Sequence, residues 1–202
     1  MQVILDRGTP ENETHIYRDL DADGRIIPGI TTILTAAQML DPQWFTDEGK
    51  ARGSAVHAAC HYLDENDLIW RTVDPAIVGY VRAWEKFKRE SGFTPQLIEK
   101  TVWSDIHTAA CTLDRCGPMQ GHNAMVEIKT GEVEPWAGVQ TAFQGVCVVE
   151  LGLMPFIDLR GAAQLRADGT YRWKEFDEEA DEAAALGAVA TYHWKKNKGI
   201  IK

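Results

Sequence analysis

Cys111-Thr112-Leu113-Asp114-Arg115-Cys116 and Ala124-Met125-Val126-Glu127-Ile128-Lys129-Thr130-Gly131 are the two runs whose reading decides the fold. Both alternate as strands do, so Glu127 and Lys129 project to one face while Val126 and Ile128 project to the other. Thr112, Asp114 and Cys116 are likewise expected to share a face. Cys116-Gly117-Pro118 and Gly121-His122-Asn123 break the chain between the runs, and the short connection predicts antiparallel neighbours. Paired in that way, two carboxylates and an ammonium converge over one patch.

Outward from this hairpin the pattern changes period several times. An earlier strand is expected over 95–102, and the second over 106–115. Toward the N-terminus, 45–63 reads as a helix with Lys50, His57 and His61 near one face and Gly53 inside it, at a cost of about 1 kcal/mol relative to alanine. Such a glycine often has a packing or access role. Asp74 and Pro75 are expected to cap and open a helix with the stripe Ile77, Val81, Trp84 and Phe87, stopped by Ser91-Gly92. Residues 1–30 are rich in turn formers such as Thr9-Pro10 and read as a lead-in with short strands around Tyr17 and at 25–27, before a short helix over 31–39. Beyond the hairpin, 135–152 is helical with Gln140 and Gln144 one turn apart. Asp168-Gly169 then turns a second hairpin, and Asp177 is expected to cap a last helix reaching about 195. The class is mixed α/β with an antiparallel component.

The chain has 202 residues, enough for one domain, and its 45% apolar and 25% charged content excludes global disorder and fibrous repeats. A net charge of -9 excludes nucleic-acid binding by bulk charge, though not a local groove. No apolar run reaches membrane-spanning length and the N-terminal residues lack a signal-type segment, so a cytoplasmic protein without a membrane partner is expected. Cys60, Cys111, Cys116 and Cys147 form no CxxC pair and read as reduced, buried thiols.

Asp114 and Glu127 are hard oxygen ligands suited to Mg²⁺ or Mn²⁺, an ion that acidifies bound water and polarises a phosphate. Lys129 is placed to orient that water, assist its deprotonation or stabilise negative charge, and sequence does not choose among the three. A solvated strand face is the alternative reading of Glu-x-Lys. His57 is a candidate ligand; His57 and His61 could also make a His-x-x-x-His zinc pair, although the glutamate of that signature is missing. Lys50, Arg52 and Arg115 are candidates to clamp phosphate, with solvated charge as the alternative. Trp44 and Phe45 read either as a base-stacking pair or as core, and Asp64, Glu65 and Asp67 as solvent-facing.

Taken together, Gly53-x-x-x-His57, Cys111-Thr112-Leu113-Asp114, Glu127-Ile128-Lys129-Thr130-Gly131 and Gln140 resemble the PD-(D/E)XK nuclease superfamily, nearest its branch of RecB-type domains and phage recombination exonucleases. The resemblance covers 44–197 and leaves 1–43 as an N-terminal decoration of a single domain spanning 1–202. It implies a restriction-endonuclease-like core, a central mixed sheet with an antiparallel catalytic hairpin flanked by helices. It further implies a metal held by His57, Asp114, Glu127 and the Ile128 carbonyl, Lys129 as the catalytic lysine, and Glu99 near a second ion or its water. Gln140 matches the first residue of a Gln-x-x-x-Tyr motif that orients the lysine or contacts DNA, and Gln144 stands where that motif has tyrosine. Cys111 replaces a usual glycine, and the iron-sulfur cysteines of one sub-branch are missing.

The activity expected from this likeness is a Mg²⁺- or Mn²⁺-dependent deoxyribonuclease, an exonuclease of phage-type recombination or DNA end processing. DNA is the expected partner, and a single-strand annealing protein and further copies of the chain are candidate partners. A catalytically silent nucleic-acid-binding protein on the same scaffold and a structure-selective endonuclease are the alternatives.

Overall fold

The alternating runs build a five-stranded sheet in a computed structural model that describes residues 1–9 and 12–201, without the side chains of Thr9, Asn12, Glu13, Thr14 and Trp44. Its strands β4 (Leu97–Ser104), β5 (Ala109–Met119), β6 (His122–Lys129), β7 (Leu159–Leu165) and β8 (Tyr171–Glu175) lie side by side in chain order. All neighbours are antiparallel except β6 and β7, and that parallel pair needs the crossover that α4 (Trp136–Glu150) supplies.

Side-chain alternation along β6 decides what covers each face of the sheet. Met125 packs with Leu113, Phe143 and Val189 beneath α1 (Ile30–Ala36), α4 and α5 (Ala180–Asn197). Val126 and Ile128 point the other way and pack with Val56, Val81 and Trp84 of α2 (Asp47–Asp64) and α3 (Val78–Ser91). The result is an α/β architecture, a mixed sheet with helices on both faces. No helix among the described residues is long and apolar enough to cross a membrane.

A second, three-stranded antiparallel sheet forms from β1 (Val3–Thr9), β2 (Asn12–Asp19) and β3 (Arg25–Ile27). It buries Val3, Tyr17 and Ile27 against Ala110 of β5, so the lead-in expected from sequence is a sheet docked on the central one. Pro10 of the expected Thr9-Pro10 turn and the side chain of Trp44 lie outside the described residues.

Several boundaries shift for local reasons. Gly117-Pro118 does not break β5, which runs on to Met119. A strand residue turns its N–H and C=O to the same neighbour, and the Pro118 carbonyl accepts from Thr94, so the donor that proline lacks faces that edge segment rather than β6. The hairpin turn is Gln120-Gly121, with φ of 52° and 89°, as a two-residue primed turn requires. Asp74 accepts from the Ala76 N–H at 2.9 Å as a cap should, but it closes a separate turn and α3 starts at Val78. The last helix starts at Ala180, three residues beyond the Asp177 cap expected for it.

Two expectations about packing are overturned. A Cβ on Gly53 would meet only Thr130 Oγ1 at 3.9 Å, so no close approach of helix to strand demands glycine there. Asp64, expected in solvent, has a fully buried side chain at the end of α2 that accepts from Arg115 Nε at 2.5 Å, Lys88 Nζ at 2.5 Å and Trp84 Nε1 at 2.9 Å. Arg115 is itself fully buried, and removing one partner of a buried pair strands the other charge without water. Asp64→Ala is therefore expected to lower stability by about 3–5 kcal/mol, read as a fall in the urea unfolding midpoint at unchanged m-value.

Candidate metal centre

Three elements converge where β4, β5 and β6 pass under α2. Thr46 caps α2 by accepting from the Gly49 N–H at 3.0 Å, with Asp47 and Glu48 in the first turn where the helix dipole favours them. Val56, Ala59 and Cys60 bury one side of this helix, which leaves Ser54, His57 and His61 on the side that lines a cleft of about 690 Å³. Glu99 comes from β4 and Asp114 from β5.

The sheet is irregular at these two residues. Ladder pairing runs through Ile98↔Arg115 and resumes at Lys100↔Leu113, passing over Glu99 and Asp114. Glu99 takes φ of +46°, a left-handed conformation that costs a non-glycine residue roughly 1–3 kcal/mol and persists only where the surroundings enforce it. Arg115 Nη1 enforces it here, donating to Glu99 Oε1 at 2.9 Å and to the Asp114 carbonyl at 2.7 Å. Side-chain alternation along β5 flips across the same point. Leu113 and Cys116 face one core cluster although three positions apart, so Cys116 does not share a face with Thr112 and Asp114 as expected. The β5–β6 ladder starts only at Arg115↔Val126, and the Ile128 N–H is taken instead by Asp114 Oδ2 at 2.7 Å.

Within this opening, His57, Glu99 and Asp114 bring one ligand atom each to within 4.8 Å of one another. His57 Nδ1 lies 3.3 Å from Glu99 Oε1 and 3.5 Å from Asp114 Oδ1, and Nε2 lies 3.1 Å from the Ile128 carbonyl. One imidazole nitrogen, two carboxylates and a nearby carbonyl make a predominantly hard donor set that fits a divalent cation such as Mg²⁺ or Mn²⁺. The four cysteines are free, buried and outside the cluster, and His61 turns to Glu65 at 3.2 Å, so the alternative His57–His61 zinc pair is not assembled.

Glu127 stands beside the cluster in a hydrogen-bonded set of its own. Its Oε1 accepts from Lys129 Nζ at 2.9 Å and from Gln140 Nε2 at 3.2 Å, and its Oε2 from Gln144 Nε2 at 3.4 Å. The acidic partner that Asp114 meets at His57 is thus Glu99, and Glu127 holds the lysine. Lys129 also lies 4.8 Å from the centroid of the Trp136 ring, against which Phe45 packs edge-on. Gln140 Oε1 and Gln144 Oε1 are buried without a partner, two unused acceptors beside Glu127.

Of the candidate DNA-contacting residues, two are corrected by burial. Arg115 spends its guanidinium on Asp64 and Glu99 in the interior, and Gln144 is buried between Glu127 and the Thr112 carbonyl, so neither reaches a phosphate. Lys50 is exposed and pairs with Asp47 at 3.8 Å in the first turn of α2. Arg52 is half-buried, 5.9 Å from the Tyr80 ring, with Nη2 3.5 Å from the Thr130 carbonyl. The cleft is instead walled opposite α2 by Arg7, His15 and Tyr17 of the N-terminal sheet. The alternation Val3-x-Leu5-x-Arg7 was the available sign of β1, masked by the turn formers around it.

Charge in the centre is strongly coupled. Burial opposes an imidazolium at His57, but the carboxylates of Asp114, Glu99 and Glu127 outweigh it and lift the pKa to about 9. Burial and repulsion from Glu127 raise Asp114 above the usual carboxylate range, whereas His57 and Arg115 overcome burial at Glu99 and hold it below. Lys129, despite its burial, is raised by Glu127 and Asp114.

A metal takes neutral imidazole and ionised carboxylate, so binding here expels protons. Mn²⁺ affinity is expected to climb with pH on the order of tenfold per unit for each proton displaced, levelling off for His57 once pH passes its value of about 9. Calorimetry in two buffers of different ionisation heat measures that release, and Glu99→Gln is expected to weaken binding by at least about tenfold. The chain matches no family model and no curated protein, so the chemistry of the centre rests on its own geometry.

Proposed function

We propose that the protein is a metal-dependent deoxyribonuclease of the PD-(D/E)XK type on a restriction-endonuclease-like core, acting as an exonuclease in phage-type recombination or DNA end processing. The observation that carries this reading is the meeting of His57, Glu99 and Asp114 beside a lysine that a separate carboxylate, Glu127, holds at 2.9 Å. His57, Glu99 and Asp114 would hold Mg²⁺ or Mn²⁺, with the Ile128 carbonyl at hand. When bound, such an ion supplies Lewis acidity and a water that ionises near neutral pH.

The chain's own groups do the rest. Lys129 is a hydrogen-bond donor fixed by Glu127 and Trp136, placed to orient the attacking water or to meet negative charge growing on the phosphate. Gln140 and Gln144 fix Glu127 in turn, so the lysine is aimed before substrate arrives. Arg115 holds Glu99 in its strained conformation. A single-strand annealing protein and further copies of the chain remain natural partners for an enzyme of this kind.

The test compares end-labelled linear duplex with covalently closed circular DNA in Mg²⁺ or Mn²⁺. Linear DNA is expected to be degraded and the circle spared, with all activity lost in EDTA and about 10²–10³-fold lost in Lys129→Ala, a cost typical of removing one preorganised donor. Cutting of the circle makes the protein an endonuclease; no cleavage of either DNA with both ions overturns the enzyme reading.

A further inference from the structure

The N-terminal sheet lies outside the segment that resembles a nuclease, yet it forms one wall of the cleft over the metal centre. Its first two strands carry a bulge at Arg7. β1 and β2 pair through Leu5↔Tyr17 and Asp6↔Ile16, then through Gly8↔Glu13, so Thr14 and His15 together oppose Arg7. Arg7, His15 and Tyr17 all line the cleft beside this bulge, a feature common at the rim of a site. Tyr17 pins this wall to the centre. Its buried ring fills the junction between the sheets, and its hydroxyl lies 3.0 Å from His15 Nε2 and 3.1 Å from Thr112 Oγ1, two residues before Asp114.

Arg7 is the cation of this wall. The neighbouring carboxylate, Asp6, points to the opposite face of the strand and binds Arg18 Nε at 2.7 Å. Among the described residues Arg7 has no ion pair, although it lines a cleft whose floor holds two carboxylates. Across the cleft, α2 presents Tyr62 with 51% of its surface exposed, one turn beyond the residues around His57. A guanidinium matches phosphate oxygens in pairs, and an exposed phenol ring is a platform for a base. The overall charge of -9 gives a polyanion no bulk attraction, so its contacts must be local ones of this kind.

Resting on the nuclease reading for the identity of the ligand, we propose that Arg7 and Tyr62 form a nucleotide subsite beside the metal centre, Arg7 pairing with the phosphate next to the cleaved linkage and Tyr62 stacking on its base. The subsite belongs to the two walls of the cleft and is separate from the residues that hold the metal.

Both residues are exposed, so Arg7→Gln and Tyr62→Leu leave the core intact. The experiment measures anisotropy of a labelled oligothymidylate on the full chain in a Lys129→Ala background with Mn²⁺, alongside cleavage by the corresponding variants with Lys129 in place. Each substitution is expected to weaken oligonucleotide binding by about 5- to 100-fold, the range that loss of one stacked base gives, with Mn²⁺ affinity unchanged. Arg7→Gln is expected to flatten the salt dependence by roughly one phosphate contact, and Arg7→Lys to restore part of the binding. Oligonucleotide binding that is absent, or that both variants retain at the parent level, overturns the subsite; the second result alongside cleavage leaves the nuclease reading standing. Binding that is lost in both variants of a protein that cleaves no DNA supports the subsite and overturns the nuclease reading instead.

Discussion

The buried guanidinium of Arg115 is the constraint on which the rest of the centre depends. A charge of this kind in a protein interior is costly unless it is paired, and here Nε and Nη1 are met while Nη2 is buried without a partner among the described residues. Asp64 meets it from the end of α2, Glu99 from β4, and the Asp114 carbonyl from its own strand. Lys88 and Trp84 of α3 then satisfy the remainder of Asp64. Two helices and two strands are thus locked together by polar geometry, which specifies register and orientation where apolar packing alone would tolerate sliding.

That lock also explains why the sheet is irregular where its chemistry lies. A regular ladder at Glu99 and Asp114 would pair their backbones and carry the side-chain alternation of each strand through without a break. Arg115 holds Glu99 at positive φ, the alternation flips, and the backbone ladder opens. The polar groups set free are reused. Asp114 Oδ2 takes the Ile128 N–H that β5 no longer accepts, and the Ile128 carbonyl meets His57. Within β4 the one left-handed residue thus coincides with the polar groups freed from the ladder, and both are answered there by side chains that also make up the donor set.

These features mark the limit of what the sequence discloses. Period-2 alternation locates β5 and β6 and sends Glu127 and Lys129 to one face, where they bond; the helical periods and the Asp168-Gly169 hairpin are legible for the same reason. Alternation is a rule for regular strands, so it misplaces Cys116, which lies past the flip. Burial of Arg115, Asp64 and Gln144 arises from contacts between residues distant in sequence, and in sequence each resembles an ordinary surface residue. The same limitation hides the division of labour between the acidic residues. Asp114, Glu127 and Glu99 are all visible as acids on strands, but which two meet His57 depends on how the strands diverge.

An acidic chain that is to hold a polyanion near a carboxylate cluster faces a problem of local charge. Lys129 is bound to Glu127 and Arg115 is sunk in the core, so neither offers an uncommitted cation to the cleft. A divalent ion at His57, Glu99 and Asp114 would neutralise the two carboxylates of the floor, since ion charge dominates its immediate surroundings. The wall above then needs little more than one well-placed guanidinium. Because Tyr17 ties that wall to Thr112 on the strand that carries Asp114, the backbone that bears Arg7 is referenced to the strand of one of the carboxylates, and the separation of the two walls is set by the fold.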